Sequence, residues 1–153
     1  MANRAITRLT REYSDLKSNP IPGVQLKVNE SNLLSPWEFI FDGPKGTVYE
    51  GGKFHLITTI PIEYPFKGPT FSFSHKIYHI NAKYDGTNIC TQDTMDIKWK
   101  PTMKIVEWVN VIIKLFKEPE PTHAPEPELL PEFNENRKEY DRKAREWTKL
   151  YAK

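Results

Sequence analysis

One stretch of the chain decides the fold, residues 37–60, which read WEFIFDGPKGTVYEGGKFHLITTI. Both of its ends, residues 37–41 and 54–60, are rich in aromatic and β-branched side chains, which are typical of strands. Between them lie Asp42-Gly43-Pro44-Lys45-Gly46 and Tyr49-Glu50-Gly51-Gly52, whose glycines and proline favour turns. The stretch therefore predicts two neighbouring antiparallel strands.

The segments on either side extend this pair into a sheet. Residues 24–28, Val-Gln-Leu-Lys-Val, alternate between apolar and polar side chains, as a half-buried strand does. Residues 70–74, Thr-Phe-Ser-Phe-Ser, predict a fourth strand. Four short strands at near-regular spacing indicate an antiparallel meander. The loop at residues 61–69 contains three prolines and Phe66.

Three other segments have the apolar period of amphipathic helices. The first begins the chain, and its arginines Arg4, Arg8 and Arg11 lie mostly off the apolar stripe and should face solvent. A core helix follows the sheet, and a helix with a charged outer face ends the chain. The apolar positions are Ile6, Leu9, Tyr13 and Leu16; Ile105, Trp108, Val109, Ile112, Ile113 and Phe116; and Tyr140, Ala144, Trp147 and Tyr151. This order predicts one α+β domain, residues 1–153.

Composition excludes several classes of protein. The 153 residues include 22 basic and 20 acidic side chains, a balance that does not suggest a nucleic-acid-binding protein. One cysteine excludes an internal disulfide, and with four scattered histidines it gives no metal-site spacing. The sequence contains neither a signal peptide nor a membrane span, so we expect a cytoplasmic or nuclear protein.

The cysteine lies in an unusual setting. Residues 79–90, HINAKYDGTNIC, place Cys90 behind Asp-Gly and Thr-Asn turn signals, in the long aperiodic stretch from Lys76 to Pro101. A lone cysteine is usually a small buried apolar residue. Because long irregular segments in compact domains are usually functional, this polar loop favours a reactive thiol instead.

With these elements placed, the sequence resembles the ubiquitin-conjugating enzymes (E2), over essentially its whole length and without added domains. That family has the UBC fold: an N-terminal helix, a four-stranded meander, an active-site loop, a core helix and two C-terminal helices. The matching segments are Trp37 with Gly43-Pro44; residues 49–54, YEGGKF; 64–69, YPFKGP; 77–81, IYHIN; 85–90, DGTNIC; 99–102, WKPT; and 144–152, AREWTKLYA.

The resemblance implies a transfer reaction at Cys90. An activating enzyme (E1) would pass ubiquitin to the Cys90 thiol as a thioester, and a substrate lysine would then attack it with a ligase (E3) bound. A thiol suits this chemistry because it both attacks and leaves an acyl group readily. Asn81 matches the Asn of the family's His-Pro-Asn motif, where its amide either donates to the oxyanion or braces the loop. His79 matches the motif's His, and a buried histidine bonded to backbone is the better interpretation than a catalytic one.

Four positions depart from the family pattern. Pro131 interrupts the segment that the resemblance assigns to the third helix, so we expect that helix to be short or to begin at Pro131. Ile80 replaces the motif's proline, which restricts the backbone. One additional residue between Cys90 and Trp99 leaves Asp93 as the best match to the acidic residue that follows the cysteine. His123 stands where an Asp usually orients or deprotonates the incoming lysine, and an imidazole with an ordinary pKa near ~6.5 is able to act as a base.

The resemblance also predicts a surface for protein partners. Arg8 and Arg11 match basic positions used to bind E1 and E3, and Phe66, Pro101 and Thr102 match the surface that meets RING- or HECT-type ligases. The resemblance implies a monomer that acts on protein lysines in an ATP-dependent pathway, without itself using ATP and without a bound cofactor or metal. Nucleic acid and membranes are not expected partners.

Two alternatives stay open at this point. One is a carrier of a SUMO- or NEDD8-type modifier. The start of helix one near the N-terminus and Lys100 in the Trp-Lys-Pro segment weigh against these. The other is a non-catalytic module of the E2-variant kind, which lacks the cysteine, and Cys90 counts against it.

Overall fold

The structure is a computed structural model that describes residues 2–89, 99–122 and 124–153. Its element order is helix, four strands and three helices, which confirms the α+β class. The bounds are α1 Ala2–Ser18, β1 Val24–Lys27, β2 Trp37–Asp42, β3 Lys53–Thr59, β4 Thr70–Phe73, α2 Ile105–Lys117, α3 Leu129–Glu135 and α4 Arg137–Tyr151.

The strands form a single antiparallel sheet in chain order, β1-β2-β3-β4, as the meander prediction requires. In β2 and β3 the residues that pair across the strands, Phe39 with Leu56 and Phe41 with Phe54, are buried together on one face. Helix α2 covers this face, and the Phe116 ring lies 5.2 Å from Phe41 and 4.7 Å from Phe54 between centroids. This sheet–helix contact forms the centre of the core.

The turn between β2 and β3 depends on a glycine. Gly43 donates its backbone N–H to Gly52 at 2.9 Å, which closes the connection. A Cβ atom at Gly43 would lie only 1.7 Å from the carbonyl oxygen of Tyr49. No other residue fits there without moving the segment that contains Tyr49, whose role is described below.

The buried face of helix α1 differs from the predicted apolar stripe. Leu9 and Leu16 are buried as expected, but Ala5 and Glu12 complete the buried face, whereas Ile6 is 41% exposed. The stripe was misplaced because it counted only apolar residues, and the buried face of α1 contains a carboxylate. Arg4 and Arg11 face solvent as predicted, but Arg8 does not: it is held against residues 101–103, as shown below.

The C-terminal helices pack on the edge of the core. α3 is short, as Pro131 indicated, but it begins at Leu129 and not at Pro131. Pro131 lies in the first turn, where a backbone N–H has no partner within the helix. The end of α4 is fixed to β3 because Lys53 donates its N–H to the carbonyl of Ala152 at 3.0 Å. No helix in the described part of the chain is long and apolar enough to cross a membrane.

Candidate active site

The predicted site residues divide between described and undescribed parts of the chain. Cys90, Asp93 and His123 lie outside the described residues. The segment that leads to Cys90 is described as far as Ile89, and Asn81 and His79 are described in full.

The segment before Cys90 is a constrained turn. Gly86 has a φ of +89°, and a Cβ atom there would lie 2.5 Å from the carbonyl oxygens of both Phe73 and His75. The Gly86 carbonyl in turn accepts the N–H of Phe73 at 2.7 Å. The Asp85 carboxylate accepts the N–H and the hydroxyl of Thr87, at 3.0 and 2.6 Å. The Asp-Gly turn signal is thus fixed to the end of β4, directly before the cysteine.

His79 is a buried residue, only 3% exposed, with both ring nitrogens bonded to backbone. Nε2 donates to the carbonyl of Leu115 at 2.8 Å, because a carbonyl only accepts. Nδ1 accepts the backbone N–H of Asn81 at 2.9 Å. Burial lowers the pKa of His79 to about 4, so the imidazole is neutral at neutral pH. The ring links α2 to the turn at residues 79–81.

Asn81 is 1% exposed, and its side chain makes a two-way contact with the loop after α2. Its Nδ2 donates to the carbonyl of Glu120 at 2.9 Å, and its Oδ1 accepts the N–H of Glu120 at 2.9 Å. This pair of bonds fixes the loop that contains Glu120 beside the turn that leads to Cys90. The same two bonds pair the backbone N–H and the backbone carbonyl of Glu120.

Ile80, which stands in place of the family's proline, has a backbone N–H that proline would lack. This N–H donates to the Tyr140 hydroxyl on α4 at 2.9 Å, in a site where Ile80 is fully buried. Sequence reasoning placed Tyr140 in the core and missed this contact. The sequence feature that indicates this bond is the replacement of proline by Ile80, because a buried backbone N–H requires an acceptor.

A second missed residue is Glu12, 4% exposed within α1. Its carboxylate accepts the N–H of Ile105 at 2.8 Å and the hydroxyl of Tyr64, and it pairs with Nε of Arg8 at 3.0 Å. Arg8 extends this network by donating to the carbonyls of Pro101 and Met103, at 2.8 and 2.5 Å. We call Arg8, Glu12 and Tyr64 the α1 cluster. It joins α1, the proline loop and the start of α2.

The predicted partner surface surrounds this cluster. Phe66 is 57% exposed, and the guanidinium of Arg4 lies 5.9 Å from its ring centroid. Arg11, Pro101 and Thr102 are exposed. A groove of about 360 Å³ separates α1 from the proline loop and is lined by Asn3, Arg4, Thr7, Arg8, Arg11, Pro65 and Phe66.

Trp99 packs against the loop that contains Phe66. The Trp99 indole donates to the carbonyl of Pro65 at 2.7 Å, and its ring lies 5.5 Å from that of Tyr64. A Cβ atom at Gly68 would lie 2.6 Å from the indole. The residues just before the exposed Phe66 are therefore held in place by Trp99. Among the described residues, no group of three His, Cys, Asp or Glu side chains is placed to hold a metal ion.

Comparison with known proteins agrees with this architecture. The sequence model of the family described as ubiquitin-conjugating enzyme matches residues 8–148. The chain belongs to this family. It is 35% identical to ubiquitin-conjugating enzyme E2 14 of Schizosaccharomyces pombe over 146 residues, which cover 95% of this chain and 93% of that protein.

Other members of the family are similarly close. Ubiquitin conjugating enzyme E2 B of Dictyostelium discoideum is 34% identical, with 95% of this chain and 97% of that protein covered. The structure matches a crystal structure of a Plasmodium yoelii protein assigned as a ubiquitin conjugating enzyme, with a TM-score of 0.83 and 30% identity over 97% of this chain and 95% of that one. The UBC fold and the conjugating-enzyme family expected from the sequence are both confirmed.

Proposed function

We propose that this member of the E2 family carries ubiquitin as a thioester on Cys90 and transfers it to a lysine. The observation that carries the proposal is the family match over residues 8–148, which includes Cys90, the one cysteine of the chain. The turn at residues 85–87 supports it, because its bonds to the end of β4 fix the chain three residues before this cysteine.

In each of the two steps one bond to the carbonyl carbon forms and one C–S bond breaks. The Cys90 thiolate attacks the carbonyl carbon of the ubiquitin thioester on E1, the C–S bond to E1 breaks, and the E1 thiolate leaves. A lysine amine then attacks the new thioester carbonyl, the C–S bond to Cys90 breaks, and an isopeptide bond forms. The ammonium proton of the attacking nitrogen passes to water or to a nearby base. Neither step requires an oxidant or a metal.

The described residues bear on which groups assist. His79 is a poor base because both ring nitrogens are bonded to backbone and its pKa is about 4. We therefore propose a structural role for it. For Asn81 the two bonds to Glu120 support the bracing role over the oxyanion role. Asp93 and His123 remain candidates to accept the proton of the incoming lysine.

For partners, we propose that E1 and RING- or HECT-type E3 ligases bind the surface that includes Arg11, Phe66, Pro101 and Thr102. The exposure of Phe66 supports this, since more than half of this large aromatic side chain is left open to solvent on a loop that the Trp99 indole holds at Pro65. Arg8 would act on this surface indirectly, through its bonds to the carbonyls of Pro101 and Met103. We also propose that the protein acts as a monomer, in the cytoplasm or nucleus.

A charging assay tests the function. The protein is mixed with ATP and each E1–modifier pair, for ubiquitin, SUMO and NEDD8, and run on a non-reducing gel. We expect a thiol-sensitive ubiquitin adduct, none for Cys90→Ala, and a thiol-resistant ester for Cys90→Ser. An adduct with another modifier alone would overturn the choice of ubiquitin, and no adduct with any modifier would overturn the conjugating function.

A further inference from the structure

The turn at residues 79–81 is bonded to α4 through the backbone N–H of Ile80. The Ile80 N–H donates to the Tyr140 hydroxyl at 2.9 Å, and Ile80 and Tyr140 are 0% and 2% exposed. A buried N–H without an acceptor is destabilising, and water has no access to replace this one. The position of Ile80 therefore depends on one hydroxyl group of α4.

Tyr140 is itself held by a second buried tyrosine. Its hydroxyl lies 3.2 Å from that of Tyr49, and the Tyr49 hydroxyl donates to the carbonyl of Tyr78 at 3.2 Å. Because a carbonyl only accepts, the Tyr49 proton points to Tyr78, and Tyr140 donates its own proton to Tyr49. The hydrogen bonds then run in one direction, from the Ile80 N–H through Tyr140 and Tyr49 to the Tyr78 carbonyl. We call this series the tyrosine chain.

The tyrosine chain is bonded to the two residues that flank His79. It begins at the residue after His79 and ends at the residue before it, so it fixes the backbone on both sides. The Tyr49 ring also stacks on the His79 ring, with centroids 5.2 Å apart and an interplanar angle of 24°. Burial raises the pKa of Tyr140 to about 12 and that of Tyr49 well above its ordinary value, so both hydroxyls keep their protons at neutral pH.

We propose that Tyr140, acting with Tyr49, is a positioning residue that sets the backbone of residues 79–81 and thereby the side chain of Asn81. It does so because Ile80 has an N–H where a proline would have none. Asn81 follows Ile80 directly, and its bonds to Glu120 require that its backbone be fixed. The consequence for transfer to lysine rests on the function proposed above, whereas the positioning itself does not.

A pair of substitutions tests the proposal. Tyr140→Phe removes the acceptor and leaves the Ile80 N–H unpaired. We expect discharge of the preformed Cys90–ubiquitin thioester to free lysine, without E3, to slow by about tenfold. In Tyr140→Phe with Ile80→Pro the unpaired N–H no longer exists, and discharge should return to within about twofold of the wild-type rate. Rescue of this kind is not expected if Tyr140 only stabilises α4.

Two further variants serve as controls. Ala144→Gly weakens the same helix one turn away without touching the chain, and its discharge rate should stay at the wild-type value. Tyr49→Phe breaks the chain at its middle but leaves Ile80 its acceptor, so we expect a smaller loss than for Tyr140→Phe. All four proteins are assayed well below their Tm, and Tyr49→Phe keeps the test valid if the double variant does not fold.

Amide hydrogen exchange separates this inference from the proposed function. The Ile80 N–H should exchange at least tenfold faster in Tyr140→Phe than in the wild-type protein, whether or not either accepts ubiquitin. Unchanged exchange, or a Tyr140→Phe loss that Ile80→Pro does not rescue and that Ala144→Gly reproduces, would overturn the positioning role. Failure of the wild-type protein to form any thioester would overturn the function alone.

Discussion

The Glu12 carboxylate in α1 accepts the backbone N–H of Ile105, the first residue of α2, at 2.8 Å across 93 positions of sequence. The first N–H groups of a helix have no partner within it, and Glu12 supplies one where a cap would otherwise stand. In α2 the residue before the helix, Lys104, makes no side-chain cap bond. This bond therefore joins α1 to the start of α2, next to Pro101 and Thr102 of the predicted partner surface.

Loss of the Glu12 carboxylate should be costly. We expect Glu12→Ala to lower the free energy of unfolding by about 3 kcal/mol, because Arg8, Tyr64 and Ile105 lose a common buried acceptor. Glu12→Gln should cost less, since its amide oxygen still accepts one of these bonds. Guanidinium denaturation measures both, with the exposed Asp15→Ala on the same helix as the control. A Glu12→Ala cost equal to that of Asp15→Ala would contradict the cluster.

The buried His79 should make stability depend on pH. Its folded pKa of about 4 lies below the unfolded value near 6.5, so the unfolded state binds the proton first. Stability from this group is full above pH 6.5 and falls as the pH drops toward 4, by about 2 kcal/mol between pH 7 and 5. His75, whose pKa burial also lowers, adds to the fall in the same direction.

The contribution of His79 is measured by comparison with His79→Gln. The difference in unfolding free energy between the two proteins should shrink as the pH is lowered from 7 to 5, because only the wild-type protein loses this term. A ring titration followed by NMR gives an independent check. An imidazole of His79 that titrates near pH 6.5 in the folded protein is incompatible with this account.

The sequence predicted the strands because their signals are local. Strand-forming side chains and Gly/Pro turns place each strand within two residues of its observed bounds. The core helix was predicted from six apolar positions at helical spacing. All of them but Ile113 are buried, and the buried Leu115 was missed. These elements do not depend on distant partners.

What the sequence did not predict depends on contacts between distant residues. Arg8 was expected to face solvent, and Glu12 was left out of the predicted buried face. A carboxylate is buried only when donors from other segments surround it, and Tyr64 and Ile105 are far away in sequence. Tyr140 looked like an ordinary core residue for the same reason. The departure at Ile80 was visible, but the hydroxyl that accepts its N–H lies 60 positions away.

Thr58 offers a chance to stabilise the protein. It is fully buried in β3, and no hydrogen-bond partner of its Oγ1 is found among the described residues. Thr58→Val has the same shape and removes this hydroxyl, so the free energy of unfolding should rise by about 1 kcal/mol. Thermal melts measure it. Thr148→Val, whose Oγ1 is bonded to the Ala144 carbonyl, serves as the control and should bring no gain.

Phe66 should affect partner-dependent steps only. Because its ring is 57% exposed, Phe66→Ala should leave the Tm and the E3-free discharge rate unchanged. E3-stimulated discharge should fall by about tenfold, as expected for an aromatic anchor of an interface. Ile62→Ala, at a position 52% exposed in the same loop, is the matched control. Equal losses for Ile62→Ala and Phe66→Ala would deny Phe66 a specific role.

Asn81 can be assigned to one of its two roles by measuring stability beside both transfer steps. The bracing role predicts that Asn81→Ala lowers the free energy of unfolding by about 2 kcal/mol, because both part-buried bonds from its side chain to the backbone of Glu120 are lost. For a domain of this size that is a fall in Tm of roughly 4–8 °C. Loading from E1 and discharge to lysine should then decline together, since the displaced loop is common to both. An oxyanion role predicts a different result: an unchanged Tm, normal loading, and a loss confined to discharge, where the tetrahedral intermediate with lysine forms.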